Sequence, residues 1–295
     1  MASCRRYARL ALRFTVVFIL STNYSGSHLL AQLLGSHSRC LSIGELHNYS
    51  KLRDRLRRDR DIVNDYATNP LFDGLGDRTE SQWHARIFEN SRAYRPTITA
   101  LVDNSKRVAW AERFLESAFD AVYLHLLRDP RAIVSRWLAT YDTSRARRSQ
   151  RRRLARRQPS LVATALLRPI DVVLAQKWVL ANAAITEFLS TRSRTAVVLY
   201  DELSQRTAPA LAALMPTLGL EFEAGQLEYG RVAHAGTLKR AYLGASARSL
   251  IAPDLRWRDA LPANVIGRID RSRPILDYLA KIGVELDADG LRRLR

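Results

Sequence analysis

The 295-residue chain is 47% apolar and 26% charged, a globular composition that excludes a disordered protein and is long enough for one large α/β domain with a proper core. Its formal charge of +18 is almost wholly arginine, since Lys51, Lys106, Lys177, Lys239 and Lys281 are the only lysines; such a field attracts anionic ligands or polyanions, unless the arginines merely cover solvated helix faces. Two cysteines, Cys4 and Cys40, exclude a disulfide framework and a four-ligand zinc site, and no run of eighteen apolar residues is present, so a reducing, cytoplasmic setting without a transmembrane segment is expected.

The first predicted element, Phe14 to Leu20, is a continuous apolar, β-branched run, as expected of a strand buried on both faces of a parallel sheet. A signal-peptide reading of Arg5 to Leu20 is set aside because cleavage would remove this strand and the loop after it. Ser21 to His28 is short, polar and contains Gly26, and Leu29, Leu30, Leu33 and Leu34 then recur at helical spacing. Strand, tight loop and helix in that order aim the first free N–H groups of the helix, with the positive end of its dipole, at whatever sits above the loop. An anion is the natural occupant. Gly26 lets the backbone approach it, and the hydroxyls of Ser25 and Ser27 add donors. A plain strand-to-helix turn explains the same residues, so the loop needs support from elsewhere. No Gly-Lys-Thr/Ser closes it, which argues against ATP with magnesium, and a G-x-G-x-x-G pattern is missing too, which argues against a nicotinamide or flavin.

Lys51 to Asp61 alternates basic and acidic residues without an apolar stripe, the pattern of an exposed helix laced with ion pairs. Glu80 to Tyr94 is expected to be a helix with Trp83, Ile87 and Phe88 inward. Thr97 to Val102 is a second strand ending in Asp103-Asn104-Ser105-Lys106, and Trp110, Phe114 and Leu115 form the next helix stripe. A third strand, Ala121 to Leu127, ends in Arg128-Asp129-Pro130-Arg131; Pro130 suits a first helical turn, where its missing N–H costs nothing. The eight arginines from Arg145 to Arg157 are read as an exposed insertion, at about 143–160, mobile when nothing is bound. Asp171 to Leu189 is a long helix with Trp178, Ile185 and Phe188 inward, Ala196 to Tyr200 a fourth strand, and Ala208 to Leu218 the helix behind it. Gly230 to Arg240 is a loop of glycine, histidine and cations able to close over an anionic ligand, and helices at Trp257 to Leu261 and Val265 to Leu279 finish the core. Strands alternating with helices give a single α/β domain, residues 1–295, with three layers and a doubly wound, mostly parallel sheet.

Five stretches, in this order, resemble the sulfotransferase family that uses 3′-phosphoadenosine 5′-phosphosulfate (PAPS), across nearly the whole chain. Tyr24-Ser25-Gly26-Ser27-His28-Leu29-Leu30, with Gly44-Glu45 after it, is similar to the family's P-loop-like 5′-phosphosulfate loop, in which a basic residue usually precedes Ser-Gly-Thr/Ser. Val102 to Lys106 resembles the segment that brings a lysine towards the sulfuryl group, and Leu127-Arg128-Asp129-Pro130-Arg131-Ala132-Ile133-Val134-Ser135 resembles the 3′-phosphate motif. Tyr200-Asp201-Glu202-Leu203, followed by Leu218-Gly219-Leu220, and the basic loop from His234 to Arg240 complete the likeness. Two departures stand out: Tyr24 occupies the basic position, and Arg136 stands eight residues after Arg128, where many members have serine.

The resemblance implies a PAPS-dependent transferase that uses no metal. Tyr24, Ser25, Gly26, Ser27 and His28 would hold the phosphosulfate, Arg128 and Ser135 the 3′-phosphate, and Lys239 and Arg240 would cover the nucleotide. Glu45 is the candidate general base and Lys106 the group that steadies the bridging oxygen, against plain readings as an ion pair and a surface lysine. His28, His47 and His125 are read as supporting rather than catalytic groups, His234 stays open as a second base or nucleotide contact, and the histidines lack metal-ligand spacing. The acceptor is a hydroxyl or amine of a small molecule, lipid or carbohydrate, with charge favouring an anionic one. Nucleic acid is disfavoured because no aromatic interleaves with the cations from Arg145 to Arg157.

Overall fold

Strand β1 (Thr15–Ser21) lies in the middle of a five-stranded sheet. The computed structural model describes residues 13–53, 62–117, 119–239 and 251–294. The apolar run of β1 alternates between two cores, as strand geometry requires. Val16, Phe18 and Leu20 pack with Trp83, Phe88, Phe114 and Phe188 on one face. Val17 and Ile19 pack with Leu30, Leu34, Leu211 and Met215 on the other. Helices therefore cover both faces, and the expected three-layer α/β architecture is the one observed.

The remaining strands of the sheet are β2 (Cys40–Gly44), β4 (Ala100–Lys106), β5 (Asp120–Leu127) and β6 (Thr195–Leu199), in the order β2-β4-β1-β5-β6, every pairing parallel. β1 and β5 run in unbroken register from Thr15 beside Asp120 to Ser21 beside Leu126. Their C-terminal ends, and the turns that follow, are thus neighbours on the edge of an open α/β sheet where ligands bind. At that same edge the β1–β4 ladder slips between Phe18 and Leu20 and the β2–β4 ladder between Ser42 and Gly44. Such bulges redirect the side chains that follow.

β1, β5 and β6 match the expected strands to within one residue, whereas β4 begins at Ala100, three residues after the expected Thr97, and runs on through Asp103 to Lys106. β2 was not expected, because Cys40-Leu41-Ser42-Ile43-Gly44 is short and interrupted by serine and glycine, yet all five residues are buried. Helix Glu80–Tyr94 has the expected limits, held by a capping box between Thr79 and Gln82. Leu115, assigned to the inward stripe after Trp110 and Phe114, is instead 42% exposed. The predicted helix from Val265 to Leu279 is two, Ala263–Asp270 and Arg273–Lys281, because Pro274 can start a helix but not continue one. An unexpected hairpin, β8 (Val284–Asp287) with β9 (Gly290–Arg293), follows. Two short strands, β3 (Ile62–Asn64) and β7 (Thr237–Lys239), pair antiparallel as a separate small sheet beside β2. The arginine-rich stretch is a helix, Ser144–Arg157, capped by Thr143 and anchored through buried Gln150 and Leu154. Of the predicted Lys51–Asp61 helix, residues 54–61 lie outside the described residues. Helix Ile170–Leu189 has the length and composition to cross a membrane, yet Trp178, Asn182 and Ile185 are buried inside the protein.

The β8–β9 turn closes over Asp201. Gly290 comes so near that a Cβ there would sit 2.7 Å from the carboxyl, and Asp201 Oδ2 accepts from the Leu291 N–H at 3.3 Å. Burial, reinforced by the Asp129 carboxylate, pushes the Asp201 pKa from the ordinary 3.8 to about 7. The folded state thus holds a proton that the unfolded chain releases. The stability this contributes is complete below pH 3.8 and is lost as pH rises to about 7. Asp201→Asn should flatten the fall in melting temperature between about pH 4 and pH 7. An identical pH profile in both proteins would show that Asp201 is ionised throughout.

Candidate active site

The loop after β1 is held from within. Thr22 Oγ1 and Ser25 Oγ hydrogen-bond at 2.8 Å, burying Ser25 beneath the loop. Gly26 has φ +91°, and a Cβ there would lie 2.5 Å from the Tyr200 ring, so only glycine fits between the loop and that ring. Helix Ser27–Gly35 begins directly, with no side-chain N-cap and no acidic residue in its first turn. Its positive end faces a cavity of about 490 Å³ whose wall includes Gly26, Ser27 and His28.

Glu45 and Lys106 meet across that cavity from the ends of β2 and β4. Gly44, at φ +72°, turns the chain off β2 so that Glu45 leaves the sheet edge. Lys106, at φ +69°, does the same for β4. Lys106 Nζ donates to Glu45 Oε1, His28 Nε2 lies 3.4 Å from the same oxygen, and Asn48 Nδ2 donates to Oε2 at 3.0 Å. Burial works to raise the Glu45 pKa, but the charges of Lys106 and His28 and the lysine hydrogen bond outweigh it, so the carboxyl titrates below its usual value and is ionised. Among the described residues, Tyr24 and Lys106 alone combine a side chain with positive φ, and both line this cavity. Backbone strain of this kind, about 1–3 kcal/mol per residue, concentrates at functional sites.

Arg128 supplies the opposite wall from the end of β5. It is 7% exposed, its guanidinium lies 4.2 Å from the centre of the Tyr200 ring, and Nη1 donates to the Tyr24 carbonyl at 2.7 Å. Nη2 pairs with Asp254 at 2.9 Å, and Asp254 is itself bound by Arg256 at 2.6 Å. Arg131, the other arginine of this turn, belongs to the scaffold: Asp129 and the Asp287 carbonyl engage it. Arg136, five residues further along the same helix, lies 5.2 Å from the centre of the Tyr24 ring and lines the cavity as well. A second hollow of about 230 Å³ shares Arg128, Arg136, Asp254 and Arg256 with the first and adds Ser135 and Trp257.

Of the residues singled out from sequence, Tyr24, Gly26, Ser27, His28, Glu45, Lys106 and Arg128 surround one cavity, and Ser135 lines the hollow beside it. The Ser25 hydroxyl is turned to Thr22 and is not among the cavity's wall residues. Lys239 has its backbone in β7, while its side chain and all of Arg240 lie outside the described residues. His234 Nε2 meets the Tyr229 carbonyl at 2.8 Å and lines a separate hollow with Leu41 and Tyr94. His47 and His125 are neutral, each pushed down to about 4 by burial, with Arg107 adding to the effect on His47. Asp254 and Arg256 were not anticipated. Nothing in the local pattern around Asp254-Leu255-Arg256 sets it apart from a surface turn.

Residues 16–224 match the Sulfotransferase family. Among solved structures, the chain is similar to the sulfotransferase domain of the Synechococcus PCC 7002 olefin synthase, at 20% identity and TM-score 0.51, covering 87% of this chain and 94% of that one. It is also similar to the sulfotransferase domain from the curacin biosynthetic pathway, at 18% identity and TM-score 0.49, covering 93% and 99%. No curated protein matches the sequence.

Proposed function

The chain belongs to the sulfotransferase family, and from that premise we propose that it moves a sulfuryl group from PAPS to a hydroxyl or amine of a small-molecule, lipid or carbohydrate acceptor. The observation that carries this reading is the joining of an open helix N-terminus, the Glu45–Lys106 pair and Arg128 in one cavity. A nucleotide with phosphate at one end and phosphosulfate at the other needs two anion sites, and the large cavity and the adjoining hollow, sharing Arg128 and Arg136, fit that need. PAPS, when bound, supplies a sulfuryl group linked to a phosphate that departs as an anion.

In this reading the backbone N–H groups at Gly26, Ser27 and His28 hold the phosphosulfate, and Arg128 with Ser135 holds the 3′-phosphate. Lys106 Nζ, a positive group already desolvated, stabilises negative charge on the departing oxygen. Glu45 takes the proton from the acceptor's attacking atom. Tyr24 removes the cation that usually opens the loop, and Arg136, stacked over its ring, returns one to the same wall.

The test has two stages. Adenosine 3′,5′-bisphosphate should raise the melting temperature, by an amount equivalent to about 2.7 kcal/mol at a hundredfold excess over Kd. Labelled PAPS should then transfer sulfate to at least one member of a panel of hydroxylated and amine acceptors. Stabilisation without transfer across the panel would reduce the protein to a nucleotide binder, and no stabilisation would remove the reading altogether.

A further inference from the structure

Helix Ser144–Arg157 and the short helix Val162–Leu167 form a face that the proposed reaction does not use. From Thr143 to Ile170 the sequence holds nine arginines and neither aspartate nor glutamate. All of these arginines except Arg151 are exposed. Beside them stand Leu166, 68% exposed, and Leu167, 82% exposed, the two most exposed large apolar side chains among the described residues. Val162, 40% exposed, lies one turn before Leu166 on the same helix.

This is a built surface and not a frayed end. Arg151 donates to the carbonyls of Ala165 at 2.6 Å and Arg168 at 2.8 Å, fastening the leucine turn onto the arginine helix. Beneath them Leu154, Ala165 and Val173 pack into a small core of their own. The leucines are therefore held outward beside a helix whose arginines, Arg151 apart, are exposed.

We propose that this face docks the protein onto the surface of a bilayer rich in anionic lipid. Two features select that occupant. A field of arginines with no carboxylate among them matches a negatively charged headgroup layer, which attracts each basic residue near it. Leu166 and Leu167 then enter the acyl boundary, where burial of apolar side chains is favourable, while the arginines extend their apolar stems and keep their heads at phosphate depth. A nucleic acid would call for stacking aromatics, and none occurs between Thr143 and Ile170. An acidic peptide would leave the leucines without a function. Only Tyr141 and Asp142 separate this face from Thr140, whose hydroxyl bonds to Tyr24 in the cavity wall, so the docked membrane lies next to the mouth of the site.

The test is sedimentation of the full chain with phosphatidylcholine vesicles containing roughly one third phosphatidylserine, against phosphatidylcholine alone. Partition should be at least ~10-fold stronger on the anionic vesicles and should weaken as salt rises. Replacing Leu166→Ser with Leu167→Ser should lower it about tenfold, and Arg152→Gln with Arg153→Gln by a similar factor, with the melting temperature of each variant unchanged. No preference for anionic vesicles would overturn the proposal. So would vesicle binding indifferent to the leucine pair and matched by polyglutamate or single-stranded RNA, since the face would then be a solvated polyanion patch.

Discussion

Arg128→Ala is expected to abolish the rise in melting temperature caused by adenosine 3′,5′-bisphosphate while leaving a folded protein. Arg128 is nearly buried, flat against Tyr200, and its fork already spans the Tyr24 carbonyl and the Asp254 carboxylate. Those contacts fix the guanidinium before any ligand arrives, so little ordering entropy opposes its engagement with phosphate. Charge-assisted hydrogen bonds contribute about 1.5–3 kcal/mol each, so losing two weakens binding by ~10²–10⁴. Arg128→Lys should recover only part of this, because an ammonium keeps the charge and loses the fork. Unchanged stabilisation in Arg128→Ala would remove Arg128 from the nucleotide site.

The same contacts explain how an empty anion site remains stable. Four cations, Lys106, Arg128, Arg136 and Arg256, line the cavity, and clustered positive charge without partners would disfavour the fold. Glu45 and Asp254 offset it. The hydrogen bond from Arg256, outweighing burial, and those from Arg128 hold Asp254 far below the usual carboxylate range, so it is ionised at any working pH. Each internal carboxylate thus occupies a cation that the proposed ligand would otherwise claim. Binding then amounts to exchanging one anion for another, and the net gain is smaller than the contact list suggests.

How much of this was visible beforehand follows from distance along the chain. The turns after β1 and β5 were legible because each is written within about ten residues: an apolar run, a polar turn, then apolar residues at helical spacing. Their adjacency was not, because strand alternation implies a parallel sheet and not the order β2-β4-β1-β5-β6 that sets β5 beside β1. β2 was not legible, since Ser42 and Gly44 break its pattern and its burial comes from β4 and the covering helix. The positive φ of Lys106 leaves no mark in its side chain. Asp254 reaches Arg128 across more than a hundred residues, and no local periodicity encodes such a contact. The arginine helix was readable as exposed and cationic, but its two outward leucines lie in a segment whose short helix could not be told from a loop.

Glu45→Gln should leave stabilisation by adenosine 3′,5′-bisphosphate intact and lower turnover by about 10²–10⁴, the range expected when a positioned base is lost. Glutamine keeps the size of the side chain and an oxygen for Asn48, but it cannot take a proton from the acceptor. Its effect therefore belongs in kcat and not in nucleotide affinity. In the unliganded protein Lys106 and His28 suppress the basicity of Glu45. An anion that draws the Lys106 ammonium towards itself weakens that suppression, so the same event that engages the lysine makes the carboxylate a stronger base. The acid limb of the wild-type kcat/KM profile, which reports the unliganded enzyme, should lie below the region where an ordinary glutamate protonates, and the limb of the kcat profile should lie higher because the bound anion has lifted the suppression. Glu45→Gln should lose that limb together with the rate. Equal turnover in the two proteins would return Glu45 to a purely structural ion pair and leave the acceptor's proton to another group.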